Sequence, residues 1–295
     1  MDKIIRCITS DGGIMAIAVD ASDIVFTANK IHNLSPVATA ALGRLMCAGS
    51  IMGDLLKQKG ATMNLRLAGD GPLGVVMAVA DSNGNVRGYV GNNMCPTTYY
   101  NNGKINVAEA VGKSGVLNVM RDYGNGEPYV GQVPIVSGEI AEDIANYYAT
   151  SEQIPTVCSL GVLLDKADKE VMLAGGLLIQ LLPGADEETI SKLEKNAETL
   201  EPMTTMLAKG MSVEEICRKA LEGFEVEVLD ENKVNYVCTC SKERVENALS
   251  SLTEDELKSI IEEDGKAEAG CHFCNKKYVF TKEELIEILN NKPKN

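Results

Sequence analysis

Four cysteines near the C-terminal end constrain this chain more than any other feature: Cys238-Thr239-Cys240, then 30 intervening residues, then Cys271-His272-Phe273-Cys274. Two close pairs separated by a longer excursion supply four thiolates, enough to close a tetrahedral zinc site. The flanks, Ser241-Lys242-Glu243-Arg244 and Asn275-Lys276-Lys277, are polar, which argues against four free thiols buried in a core. Cys238, Cys240, Cys271 and Cys274 are therefore the expected ligands of a zinc ion. His272 lies between two of them, but four thiolates complete the shell, so it is read as an exposed bystander. The other histidine, His32, stands before a long helix in a loop or cap position, which leaves little general-base chemistry.

The metal matters because its segment is small. Ser241 and the capping box Thr253-x-x-Glu256 open helices between the cysteine pairs, and a further box, Thr281-x-x-Glu284, follows the strand-like Lys277 to Phe280. A core of this size seldom supplies more than about 3 to 5 kcal/mol. Structural zinc contributes roughly 10 to 16 kcal/mol of apparent binding free energy at neutral pH, so the metal would decide whether the segment folds. The same spacing permits redox chemistry. A C-x-C disulfide closes a very small, strained and labile loop, and oxidation of the thiols would remove the ligands.

The rest of the 295 residues changes character twice. Residues 186–233 hold 13 acidic and 6 basic residues, and 23 of the 27 Gly precede residue 185, so a boundary falls near Pro183-Gly184. The expected organisation is α+β: a sheet-and-helix core over 1–183, a helical acidic linker over 184–233 and a small zinc-binding domain over 234–295. Strands are expected at Thr62 to Ala68, Gly74 to Asp81 and Val171 to Leu182. A long helix begins with Ser35 as N-cap and Pro36 at N1 and runs to about Lys57. Arg44 at its middle and Asp54 near its end argue for a buried core helix and against a membrane span. In the acidic segment, Ile190, Leu193 and Ala197 recur at helical spacing, and Ser212-x-x-Glu215 is a capping box before Ile216 and Leu221. Helices with such thin stripes depend on docking, so this segment is read as conditional structure.

Charge and composition remove several functions. A net charge of -14 repels phosphate backbones, and the absence of Trp with only 4 Phe leaves few stacking platforms, so no nucleic-acid partner is expected. Met1 to Cys7 carries Asp2, Lys3 and Arg6, too many charges for a secretory signal, and a cytoplasmic protein is expected. Nine cysteines, an odd number, exclude a fully paired secreted framework. Thioredoxin-like chemistry needs its C-x-x-C at a helix start, whereas here a strand-like Lys-Tyr-Val-Phe follows. Gly112-Lys113-Ser114 has Val107 where a P-loop requires its first Gly, so it is read as a turn. No enzymatic activity is expected.

Taken together, Cys238-Thr-Cys240-Ser-Lys-Glu-Arg, Glu262-Glu-Asp-Gly-Lys-Ala-Glu-Ala-Gly-Cys271-His-Phe-Cys274, Gly175-Gly-Leu-Leu-Ile-Gln-Leu-Leu-Pro-Gly184 and Ser151-Glu-Gln-Ile-Pro155 resemble the 33 kDa chaperonin family, bacterial redox-regulated heat-shock chaperones. The resemblance covers essentially the whole chain. It implies a core that dimerises, a helical linker and a C-terminal zinc domain acting as sensor. It also implies that oxidation pairs Cys238 with Cys240 and Cys271 with Cys274, expels zinc, unfolds sensor and linker, and lets the homodimer hold unfolding or oxidatively damaged client proteins without nucleotide. Cys7, Cys47, Cys95, Cys158 and Cys217 lie outside that motif and are read as buried, inert thiols, although the linker position of Cys217 leaves mixed pairings open.

Overall fold

In the computed structural model, which describes residues 1–167 and 169–292 and so leaves 293–295 of the expected C-terminal segment outside it, the chain opens with a hairpin of β1 (Lys3–Thr9) and β2 (Ile14–Asp20). Two helices follow, α1 (Ser22–His32) and α2 (Pro36–Asp54). A meander comes next: β3 (Thr62–Gly69), β4 (Val75–Asp81), β5 (Val86–Val90), a short α3 (Val107–Val111), β6 (Gly115–Asp122) and β7 (Tyr129–Pro134), making one antiparallel sheet in the order β5-β4-β3-β6-β7. After α4 (Ala141–Tyr147), the hairpin β8 (Thr156–Leu164) and β9 (Val171–Leu181) joins β2. The acidic segment then supplies α5 (Glu187–Thr199), α6 (Met203–Ala208), α7 (Val213–Ala220) and β10 (Val226–Lys233), and β10 completes a second antiparallel sheet, β10-β1-β2-β9-β8.

The expected long helix is α2, with the Ser35 side chain capping the Ala38 N–H and Pro36 in the first turn. It ends three residues early because Leu55 caps it. Almost every residue of α2 is buried, since it packs on β4 and β5 of one sheet and on β8 and β9 of the other. A helix apolar all round needs such surroundings. Its small residues let the sheets approach: a Cβ on Gly43 would stand 2.6 Å from Val162 Cγ2, and one on Gly53 would stand 2.5 Å from the Asp81 carbonyl oxygen. The two charged groups expected to keep α2 out of lipid are both paired, Arg44 with Glu139 at 2.5 Å and Asp54 with Arg6 at 2.6 Å. Among the described residues no helix is long and apolar enough to cross a membrane.

In the sheet containing β1, the strands β1, β2 and β9 are buried on both faces, which is why they read as nearly continuous apolar runs. Ile4, Ile17, Val19 and Leu178 face α2, while Ile5, Cys7, Ile14, Ala16, Ala18, Leu177 and Ile179 face a cover made of α5, α6 and α7. The thin stripes of the acidic segment are thus docked: Leu193, Met206, Ile216, Cys217 and Leu221 are buried there. One element of the segment departs from the helical pattern. Val226–Lys233 is a strand, exposed along most of its length and tied to β1 by Lys3–Glu231 at 2.5 Å. An edge strand needs little apolar character, and its charges guard the open edge.

The chain divides into two compact units, Met1–Val237 and the stretch from Cys238 onward. The second contains α8 (Lys242–Ser250), α9 (Glu254–Ser259) continued by a π-turn to Asp264, the hairpin β11 (Lys266–Gly270) and β12 (Lys277–Thr281), and α10 (Lys282–Asn290). Ser241, Thr253 and Thr281 cap the three helices through their side chains, as the sequence requires. Among the described residues of this unit, Leu257, Ile261, Tyr278, Phe280, Leu285 and Ile288 are the buried hydrophobic ones, and α8 buries none. The architecture as a whole is α+β, with a small C-terminal unit that carries the four-cysteine cluster.

Candidate metal centre

Two local structures deliver the four thiols. Between β11 and β12 the chain turns tightly: the Asn275 N–H donates to the Cys271 carbonyl at 2.9 Å, and the Cys271 N–H donates to the Lys276 carbonyl at 2.9 Å. Asn275 takes a left-handed φ of 57°, which asparagine tolerates better than most residues. This turn holds Cys271 and Cys274 at the hairpin tip. Cys238 and Cys240 lie directly before Ser241, the N-cap of α8, and Thr239 between them accepts a hydrogen bond from Arg244 Nη1 at 2.8 Å.

The Cys238 and Cys271 sulfurs are 3.6 Å apart, those of Cys240 and Cys274 are 3.4 Å apart, and all four lie within 4.8 Å of one another. With Zn–S bonds of about 2.3 Å, the edge of a tetrahedral thiolate site is about 3.8 Å, so the donor set fits a zinc-sized ion. Among the described residues this is the one grouping of three or more potential metal ligands. Burial pushes the Cys238 thiol up to about 12. Burial acts on Cys240 in the same sense, but hydrogen bonds from Tyr278 and from the neighbouring thiols outweigh it and bring Cys240 down to about 7. The Tyr278 hydroxyl donates to Cys240 Sγ at 3.1 Å. The cluster therefore sets the lowered Cys240 sulfur among three neighbouring sulfurs, all partly exposed, as a metal site or an oxidant-sensitive site requires.

The four cysteines singled out in the sequence come together here. His272 is exposed, and His32 sits in the last turn of α1, its carbonyl accepting from Asn93 Nδ2 at 2.9 Å. Gly112 caps the end of α3 and Gly115 begins β6, so no helix starts after the Gly-Lys-Ser triplet to cradle a phosphate. Of the other cysteines, Cys7, Cys47, Cys95 and Cys217 are buried and Cys158 is half-buried. Tyr278 escaped the sequence reading. Its signal was the alternation of Lys277 to Thr281, which turns Tyr278 and Phe280 inward together.

Residues 2–281 match the family described as Hsp33 protein. The chain belongs to the Hsp33 family. It is 48% identical over 288 residues to the 33 kDa chaperonin of Clostridioides difficile strain 630, covering 98% of each chain. Against the 33 kDa chaperonin of Acetivibrio thermocellus it is 45% identical over 288 residues, covering 98% of this chain and 97% of that one. The crystal structure of the 33 kDa chaperonin, a heat shock protein 33 homologue, from Thermotoga maritima superposes with a TM-score of 0.88 at 36% identity, covering 98% of this chain and 97% of that one. Membership in the Hsp33 family carries the function that the resemblance implied: a redox-regulated chaperone, not an enzyme.

Proposed function

We propose that the four cysteines hold zinc in the reduced protein and that their oxidation switches the chain into a holdase for unfolding or oxidatively damaged proteins. The observation that carries this reading is the convergence of Cys238, Cys240, Cys271 and Cys274 in a unit whose buried hydrophobic residues, among those described, number only six. A zinc ion bound there would act as a structural cross-link worth roughly 10 to 16 kcal/mol of apparent folding free energy at neutral pH. The unit's own core would supply only about 3 to 5 kcal/mol.

Pairing Cys238 with Cys240 and Cys271 with Cys274 consumes all four donors, and the unit from Cys238 onward then lacks its main source of stability. Sulfur contacts of 3.4 and 3.6 Å run between the two motifs, so neighbour pairing breaks contacts that tie one motif to the other. That rearrangement fits a unit that unfolds as it oxidises. Cys238 lies five positions beyond Lys233, the end of β10. Loss of the unit would free this edge strand to fray and the helices of 184–233 to undock. Leu193, Met206, Ile216 and Leu221 would then face clients, while the acidic charge of the segment keeps the chain soluble.

In this scheme residues 1–183 are the chaperone and dimerisation core, 184–233 the linker and 234–295 the switch. The protein acts in the cytoplasm as a homodimer, without nucleotide and without a nucleic-acid or membrane partner. Light scattering from a thermally aggregating client tests it, with zinc content measured on the same samples. Reduced protein should hold zinc and leave aggregation untouched, peroxide-treated protein should lack zinc and suppress it, and re-reduction with zinc should restore the first state. Equal suppression by reduced and oxidised protein, or none by either, would sink the scheme.

A further inference from the structure

A groove of about 460 Å³, the size of a small-molecule site, opens beside α2 in the unit that begins at Met1. Its apolar lining comes from Ala40 of α2, Leu160 and Val162 of β8, and Ile105. The start of α6 adds Pro202, Thr204 and Thr205. Gly161 of β8 lets α6 come this close, since a Cβ there would stand 2.6 Å from Thr204 Cγ2.

Positive charge gathers around the groove, although the chain as a whole carries a net charge of -14. Lys104, ahead of α3, and Lys166 and Lys169, in the turn between β8 and β9, all line it. Lys169 Nζ donates to the Lys166 carbonyl, whereas the ammonium groups of Lys104 and Lys166 have no acceptor among the described residues. Arg44 also lines the groove, but its charge is met by Glu139. Among the described lining residues only Asp165 carries a carboxylate, which accepts from the Ala167 N–H at 2.7 Å within its own turn, and none carries a carboxamide.

We propose that this groove binds an amphipathic carboxylate, of the class of a medium-chain alkyl acid, and that the bound molecule clamps α6 to the core. The carboxylate pairs with the exposed Lys104 and Lys166, and the alkyl chain covers Ala40, Ile105, Leu160 and Val162. The lining offers a sugar or a base few side chains to read it, which selects an alkyl body. Exposed ion pairs contribute little alone, so affinity comes from the chain, at about fourfold per buried methylene, and the lysines choose the head group. The groove is complete only while α6, part of 184–233, is docked on β8. A ligand that binds only the docked form lowers the undocked population about tenfold at ten times its Kd. The molecule is thus a brake on release of 184–233, an inference that rests on the reading that this segment undocks when the protein is active.

The test titrates reduced, full-length protein with sodium octanoate, hexanoate and acetate by calorimetry. Octanoate should bind saturably at one site per chain and more weakly as salt rises, and acetate should not bind. Hexanoate, two methylenes shorter, should bind about fifteenfold more weakly. Lys104→Glu combined with Lys166→Glu, both at exposed positions, should weaken octanoate about tenfold and leave 1-octanol unaffected. Octanoate at ten times its Kd should slow tryptic cleavage within 184–233 about tenfold, with cleavage of a free peptide unchanged. The proposal is overturned if octanoate does not bind saturably, if the doubly substituted protein binds it equally well, or if binding leaves cleavage unchanged. Should peroxide-treated protein without octanoate resist trypsin there as the reduced protein does, the undocking reading fails separately. The titration still decides whether the groove binds its ligand.

Discussion

Glu139 gathers three partners onto one carboxylate: Arg44 Nη1 at 2.5 Å, the Tyr100 hydroxyl at 2.7 Å and the Ala108 N–H at 3.0 Å. Burial raises its pKa, but Arg44 and the hydrogen bonds outweigh burial and hold it below the ordinary 4.5. A carboxyl lowered in the folded state contributes stability above its unfolded value and loses it as pH falls through the lowered one. Glu139→Gln should therefore cost about 2 kcal/mol at neutral pH, and denaturant titrations should show the gap to wild type closing as pH falls below 4.5. At the metal centre, Cys271→Ser removes one of four convergent sulfurs. Elemental analysis should find the zinc of the reduced protein lost or stripped readily by chelator, and unchanged content would show that the four-thiolate site is wrong.

At the scale of elements, α7 shows how a short helix depends on its docking surface. Its N-terminal end is secured locally: the Glu215 N–H donates to Ser212 Oγ at 3.2 Å, and the Ser212 N–H donates to Glu215 Oε2 at 2.7 Å. Such a cap is worth about 1 kcal/mol, too little to hold an eight-residue helix in water. Ile216, 0% exposed against the sheet, carries far more. Ile216→Ala should cost about 2 to 4 kcal/mol, enough to loosen 184–233 in the reduced protein. Faster tryptic cleavage at Lys209 and Lys219, with client suppression before any oxidant is added, is the expected result. Ser212→Ala should act in the same direction and more weakly. If Ile216→Ala left both measurements unchanged, undocking of α7 would not be the source of activity.

Across the molecule, β10 extends the unit that begins at Met1 well past the change of composition at Pro183. A chain ending at 237 retains the residues of both sheets and of α5–α7, so calorimetry should show cooperative unfolding of the core that chelator does not alter, while trypsin should cut 184–233 faster than in the reduced full-length protein. A chain ending at 183 would leave β1 as an open edge and expose the face bearing Ile5, Ile14, Leu177 and Ile179. It should be less stable and more prone to aggregate than the longer fragment. Equal stability of the two would mean that the segment 184–233 adds nothing to the sheet it covers.

Whatever rested on neighbours in the chain was readable in advance. The caps at Ser35, Ser212, Thr253 and Thr281, the strand at Thr62 and the two cysteine motifs depend on residues a few positions apart, and local rules of spacing and hydrogen bonding act at that range. Only folding could decide the rest. β10 is held by pairing with β1 and not by its own apolar content, so its acidic sequence hid a strand. Tyr278 meets Cys240 across 38 positions, and Cys217 is buried in the same layer as Cys7 from the far end of its unit. Such proximities arise because strands and helices from distant parts of a chain pack into one layer, and no periodicity along the chain encodes which of them will meet.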